Sequence, residues 1–160
     1  MSTNYKHCFR PALGLTVLLP LISAASGSAS DWPQFRGPLG NGFAPAANPP
    51  IAWSETTKVA WKVGVTGRGR SSPVILGDRI WLTSAVEQGV IRKRIGPDDM
   101  QTADHVSLRV ICLDRNSGKS LWETTLFEVS NPDPVHWLNS WSTPTPVVES
   151  GRVYCDFGTF

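Results

Sequence analysis

"LDRNSGKSLWE", residues 113–123, admits two incompatible folds. Its Gly118-Lys119-Ser120 matches the tail of a nucleotide-binding phosphate loop, and the same residues also suit the turn of a β-hairpin. A phosphate loop needs a glycine five residues ahead of its final Gly-Lys-Ser, so that backbone N–H groups wrap the phosphates, and a helix behind it. Position 113 is Leu, and the chain continues Leu121-Trp122-Glu123-Thr124-Thr125-Leu126, rich in β-branched and aromatic residues and without helical apolar spacing. The hairpin reading therefore stands. Ile111 and Leu113 point inward on one strand, Asp114 accepts bonds from backbone N–H groups, Gly118 supplies a positive φ, and Lys119 and Trp122 belong to the return strand.

Working outward, 14 Gly and 13 Pro among 160 residues interrupt any long helix after the first thirty positions, so the chain reads as many short strands. Residues 1–30 differ. Lys6 and Arg10 precede an apolar run broken by Pro20, and small residues follow from Ser23 to Ser30. That is the pattern of an export signal peptide, with cleavage after Gly27, Ala29 or Ser30, and the apolar run is too short for a membrane span. Cys8 lies ahead of the apolar run, where it cannot carry a lipid anchor. The expectation is an exported protein, periplasmic or extracellular, with no membrane span after cleavage.

The signal carries two of the 15 basic residues and none of the 13 acidic ones, so its removal takes the formal charge from +2 to zero. No basic field is left for nucleic acid. The one basic cluster, Arg92-Lys93-Arg94, is followed by Asp98-Asp99 and reads as a solvated loop. Cys112 and Cys155 sit in apolar strand patterns, where either free buried thiols or a disulfide is possible in an oxidising compartment. No CxxC or His/Cys grouping points to a metal.

An internal repeat sets the architecture. "SPVILGDRIWL" (72–82) lies over "TPVVESGRVYC" (145–155) without a gap, matching Pro73, Val74 and Arg79 to Pro146, Val147 and Arg152. Ser72/Thr145, Ile75/Val148, Ile80/Val153 and Trp81/Tyr154 are alike in type. "VAWKVGV" (59–65) and "SLWETTL" (120–126) each place a Trp near the start of a strand. Short-strand repeats of this size are the mark of a β-propeller, whose four-stranded blades bury their faces on one another.

"CLDRNSGKSLWE" resembles the repeat of the pyrroloquinoline-quinone-like propellers, of the form A-x-D-x-x-T-G-K-x-x-W, with Cys112 in the Ala position and Ser117 in the Thr position. "DWPQFRGPLGNG" (31–42), "GRGRSSPV" and "NSWSTPTPVVESGRVYCDFGTF" are similar to exported bacterial members of that superfamily. The resemblance implies an all-β fold: a partial β-propeller of about one complete blade plus incomplete neighbours, behind the signal peptide. Residues 31–57 would be a leader pinned to the propeller by Trp32, Phe35 and Arg36, and residues 58–160 the propeller itself. The complete blade would use strands at 71–76, 79–85, 107–114 and 119–126, with 144–148 and 152–158 beginning the next blade. Residues 58–63 would be an outer strand closing the ring. A ring needs at least about four blades, so the sequence reads as the amino-terminal part of a longer protein.

The function implied is a non-catalytic binding or scaffold module of the cell envelope, taking a protein, a peptide or an envelope component and no cofactor. The alternative is the amino-terminal part of a quinone-dependent dehydrogenase with bound pyrroloquinoline quinone, although the Cys-Cys pair common in those enzymes is missing. Neither kinase motifs nor a Gly-x-Ser-x-Gly elbow occur. In a propeller, connections from outer strand to next inner strand open on one side. Residues 65–70 and 127–143 should thus meet, grouping Arg68 and Arg70 with His136, Asn139 and Trp141. These side chains either hold an anionic or peptide ligand or tie the long loop to the blade edge. Asp114, Gly118, Lys119 and Trp122 are assigned to the repeat itself.

Overall fold

The structure, a computed structural model, describes residues 31–44, 47–95 and 98–158. The expected signal peptide, residues 1–30, lies outside the described residues. Among the described residues nine strands follow in chain order: β1 (Val74–Leu76), β2 (Arg79–Gln88), β3 (Ile91–Ile95), β4 (Asp98–Thr102), β5 (His105–Asp114), β6 (Ser120–Ser130), β7 (Val135–His136), β8 (Val147–Glu149) and β9 (Arg152–Tyr154). They form three antiparallel sheets, ordered β1-β2-β5-β6, β3-β4-β7 and β8-β9, none closed into a barrel. The fold is all-β, and no helix among the described residues is long and apolar enough to cross a membrane.

The central strand of the largest sheet, β5, shows why these residues choose this place. Val106, Leu108, Val110 and Cys112 alternate onto one face, opposite Glu87, Ala85, Thr83 and Trp81 of β2. Near the other end Ile111 and Leu113 are buried as well, so the strand is covered on both faces there. Two apolar clusters grow from that first face. One joins Ala85, Ala103, Val106 and Leu108 to Trp141 and Phe157; the other joins Val74, Trp81, Val110 and Cys112 to Val148 of β8. Cys155 packs against both clusters, and it and Cys112 are free thiols, not a disulfide. Burial pushes both thiols above the ordinary range, because a thiolate loses its hydration there.

The turn between β5 and β6 is the hairpin. Asp114 Oδ1 accepts from the Ser117 backbone N–H at 2.7 Å and from Ser117 Oγ at 2.6 Å. Gly118 has φ +70°, and its N–H donates to the Asp114 carbonyl at 2.8 Å. Trp61 lies against this turn, donating Nε1–H to the Arg115 carbonyl at 2.9 Å, with its ring where a Gly118 side chain would be. Residues 58–63 are not a strand as expected; they run beside the turn without a ladder. A strand is defined by its paired neighbour, and the expected partner of this segment belonged to another blade.

Two further differences concern connections. Arg92-Lys93-Arg94 lies on β3 of a hairpin with β4, not on a loop: Arg92 faces Gln101 and Lys93 faces Met100 across the pair. Charged side chains are compatible with a strand whose faces meet water, and the backbone ladder outweighs their low strand propensity. The inner strand expected over 71–76 forms its ladder only at Val74–Leu76. Upstream, Arg68 and Ala85 exchange both backbone hydrogen bonds, at 2.8 and 2.7 Å, so the inner edge of β2 is covered in two pieces. At the leader, Trp32 and Ile75 exchange backbone bonds at 2.8 Å each and the Val148 N–H donates to the Pro33 carbonyl, whereas Phe35 is exposed.

Gly118→Ala is expected to destabilise the protein by about 1–3 kcal/mol, since it adds both positive-φ strain and a collision with the Trp61 ring. Thermal unfolding of the variant measures this. Thiol labelling is expected to modify half-buried Cys155 before buried Cys112, both more slowly than a free cysteine at the same pH.

Candidate ligand face

The connection from β2 to β5 and the connection from β6 to β8 meet at one end of the main sheet. They are joined by backbone pairing: β4 accepts β7 as its neighbour, with Met100 opposite His136 and Gln101 opposite Val135. The Trp137 N–H extends the contact to the Asp99 carbonyl at 3.0 Å. The Arg92 guanidinium stacks 3.9 Å over the Trp137 ring and reaches Asp99 Oδ2 at 2.6 Å. This clamp of cation, aromatic face and carboxylate stiffens the small sheet.

The five side chains expected to share this face have different situations. Residues 65–70 and 127–143 do meet, since the Arg70 N–H donates to the Ser142 carbonyl at 2.9 Å. The Arg68 guanidinium is spent on Glu87, with Nη1 to Oε2 at 2.9 Å, and the Glu87 side chain is only 6% exposed. Trp141 is 2% exposed and sits in the core, donating Nε1–H to the Asp133 carbonyl at 2.9 Å, so its ring is no open platform. The Arg70 side chain is exposed, with no hydrogen-bond or ion-pair partner among the described residues. Asn139 uses its backbone, donating to the His136 carbonyl at 2.7 Å, and leaves its side chain in solvent. The Leu138 N–H donates to His136 Nδ1 at 3.2 Å, which places a neutral ring's proton on Nε2, outward from that bond. No hydrogen bond joins the Arg68 or Arg70 side chain to His136 or Asn139.

Sequence reasoning missed Arg92, Asp99, Trp137 and Glu87. The first two had a signal, because the Gly96-Pro97 pair between residues 91–95 and 98–102 is a turn marker flanked by apolar Ile91 and Ile95. Glu87 had none: nothing local says that a carboxylate near a strand end will be buried against an arginine nineteen residues earlier.

Two concavities stand out among the described residues. The smaller, about 440 Å³, is lined by Asp133, Asn139, Trp141, Thr143 and Phe157, next to the ligand face. The larger, about 840 Å³, is an apolar cleft between the β5–β6 side of the main sheet and the β8–β9 hairpin. Trp81 and Trp122 form its floor, edge to face at 5.2 Å. Trp122 therefore packs on Trp81 yet remains 41% exposed toward the cleft.

On the opposite face of the main sheet, His105 Nε2 lies 2.7 Å from Glu128 Oε2, and His105 Nδ1 lies 3.4 Å from Ser130 Oγ. The order serine, histidine, carboxylate imitates a catalytic triad. These residues line neither of the two concavities described above, the serine contact is long, and the group links β5 to β6 across the pair. No family model, curated protein or solved structure matches the chain.

Glu128 also accepts from Ser107 Oγ at 2.7 Å, and that bond, followed by the one with His105, holds its carboxyl below the ordinary range. A depressed folded-state pKa adds stability at pH values above the unfolded one, lost as pH falls through the folded one. Ser107→Ala should move the Glu128 titration midpoint upward, toward that of a free glutamate, as followed by carboxyl NMR shifts.

Proposed function

We propose that this chain is the amino-terminal part of an exported, non-catalytic β-propeller repeat protein that serves as a binding or scaffold module of the cell envelope. The observation that carries the reading is the repetition of one hairpin. In β1–β2, Val74, Ile75 and Leu76 face Trp81, Ile80 and Arg79; in β8–β9, Val147, Val148 and Glu149 face Tyr154, Val153 and Arg152. The second hairpin packs on the first sheet through β1 and the Val74–Val148 cluster, as successive blades would. The sequential order β1-β2-β5-β6 also suits a four-stranded blade, with β3–β4 inserted between its second and third strands. The dehydrogenase alternative rests on family resemblance alone.

Within that module, ligand binding is assigned to His136 and Asn139 on the β6–β8 connection and to Arg70 on the segment ahead of β1, which that connection meets through the Arg70–Ser142 backbone bond. Arg70 offers a forked donor for a carboxylate, His136 an outward Nε2, and Asn139 an amide. Arg68 and Trp141 are committed to Glu87 and to the Asp133 carbonyl and stay out of the proposed set. The partner is an anionic segment of a protein or peptide, or an envelope component of like charge.

Export predicts a mature chain that starts between residues 28 and 31 and is recovered from the periplasm; terminal sequencing of fractionated cells checks it, and retained Met1 in the cytoplasm would oppose it. For the ligand face, a tetraglutamate peptide serves as probe. Arg70→Ala is expected to weaken its binding about fivefold while leaving the melting temperature within about 2 °C, since an exposed side chain without partners is removed. Arg68→Ala should instead cost about 1–3 kcal/mol of stability, because it leaves the Glu87 carboxylate buried without a partner. Equal binding by wild type and Arg70→Ala would remove the ligand assignment.

A further inference from the structure

The smaller concavity, of about 440 Å³, adjoins the proposed ligand face and is mostly apolar: Pro134, Val135, Trp141, Pro144 and Phe157 wall it. Short-range bonds fix these walls. The Ser140 N–H donates to Thr143 Oγ1 at 3.2 Å, and Thr143 Oγ1 donates to the Ser140 carbonyl at 2.8 Å. The Ser142 N–H donates to Ser140 Oγ at 3.1 Å, and the buried Gln101 amide donates to the Asn139 carbonyl at 3.4 Å. The Trp141 indole N–H is already bound to the Asp133 carbonyl, so its ring offers the concavity apolar surface alone. A preformed apolar hollow of this kind favours a guest side chain that leaves water on entering it.

Opposite charges lie toward the two ends of Trp141. Its backbone adjoins Ser142, whose carbonyl takes the Arg70 N–H at 2.9 Å, and its indole reaches Asp133, which borders the hollow. Arg70 and Asp133 are both exposed, and neither side chain has a hydrogen-bond or ion-pair partner among the described residues. We infer that the ligand of this face is a peptide segment with one apolar residue between an acidic and a basic one. The apolar side chain enters the hollow, the acidic residue meets Arg70, and the basic residue meets Asp133. Asn139, at the border of the hollow, offers its amide to the peptide backbone beside the apolar residue. The inference rests on the assignment of Arg70, His136 and Asn139 to ligand binding, and it narrows their partner from an anionic segment to one of mixed charge. A uniformly acidic segment would set like charge against Asp133, and an apolar small molecule would leave the guanidinium, the carboxylate and the amide unused.

The test titrates the mature chain with four peptides blocked at both ends: Lys-Leu-Glu-Glu, Lys-Ser-Glu-Glu, Glu-Leu-Glu-Glu and tetraglutamate. Lys-Leu-Glu-Glu should bind about tenfold more tightly than Lys-Ser-Glu-Glu, because its leucine leaves water for the hollow. It should bind about fivefold more tightly than Glu-Leu-Glu-Glu, which brings a like charge to Asp133. The NMR signal of the Trp141 indole N–H should shift with the leucine peptides and stay in place with the serine peptide. Asp133→Asn keeps the backbone carbonyl that holds Trp141 and removes only an exposed charge. It should therefore abolish the preference for lysine over glutamate and keep both the preference for leucine over serine and the melting temperature. Equal affinity for the leucine and serine peptides overturns the inference, and so does a lysine preference that survives in Asp133→Asn. If tetraglutamate still binds through Arg70 in either case, the ligand face stands and only its narrowed specificity falls. Failure of all four peptides to bind removes the face and the inference together.

Discussion

Everything in this structure depends on the double pairing of β5. Its N–H and C=O groups meet β2 on one side from His105 to Asp114 and β6 on the other from His105 to Leu113. An unpaired polar group in an apolar interior is costly, so Val106, Leu108, Val110 and Cys112 can be buried only because both edges of their strand are satisfied. That burial creates the apolar face on which Trp141, Phe157 and β8 settle. The same requirement explains the leader, whose Trp32 completes the outer side of Ile75, and the Arg68 bridge, which covers β2 where β1 does not reach.

The small sheet β3-β4-β7 turns two long connections into a rigid unit. Without the pairing of Met100 with His136, the segment from Asn131 to Ser140 would be a free loop, and the Arg92–Trp137 stack would have no base. Elsewhere polar side chains near these connections are committed to internal partners. Glu87 takes Arg68, and the Asp133 carbonyl takes the Trp141 indole. What remains for the proposed ligand is a set without an internal partner among the described residues: the Arg70 guanidinium, the outer nitrogen of His136 and the Asn139 amide. Rigid support under uncommitted polar side chains is the arrangement a binding face requires.

The cleft differs in kind. The proposed ligand face presents polar groups to solvent at no cost, whereas the cleft presents aromatic rings and a strand edge that no described residue pairs, both of which are unfavourable in water and promote association. Its walls are made by two elements that carry the same sequence repeat in unequal states of completion. Strain within either element does not account for the opening, because both hairpins hold regular registers.

Local chemistry made much of the fold legible. The Asp114, Ser117 and Gly118 turn follows from short-range hydrogen bonding and from the one residue that adopts positive φ without penalty. The four strands of the main sheet were expected from the likeness to the propeller repeat, with which the alternating burial of β5 agrees although β6 is exposed along most of its length, and the second hairpin from its ungapped likeness to the first. Each of these motifs is itself about a dozen residues long, although the two copies of the hairpin lie far apart in the chain. Recognition of β3–β4 as a hairpin was obscured by its charges, since solvent-facing strands and loops have similar compositions. The role of Arg68, the burial of Trp141, the clamp of Arg92 on Trp137 and the absence of a ladder at residues 58–63 were decided only in three dimensions. In each case the deciding partner is distant in the chain: Glu87 for Arg68, Leu108 for Trp141, Trp137 for Arg92, and for residues 58–63 a strand that none of the described residues supplies. A residue's own type states which interactions it can make; which of them it does make depends on the neighbours that folding brings to it.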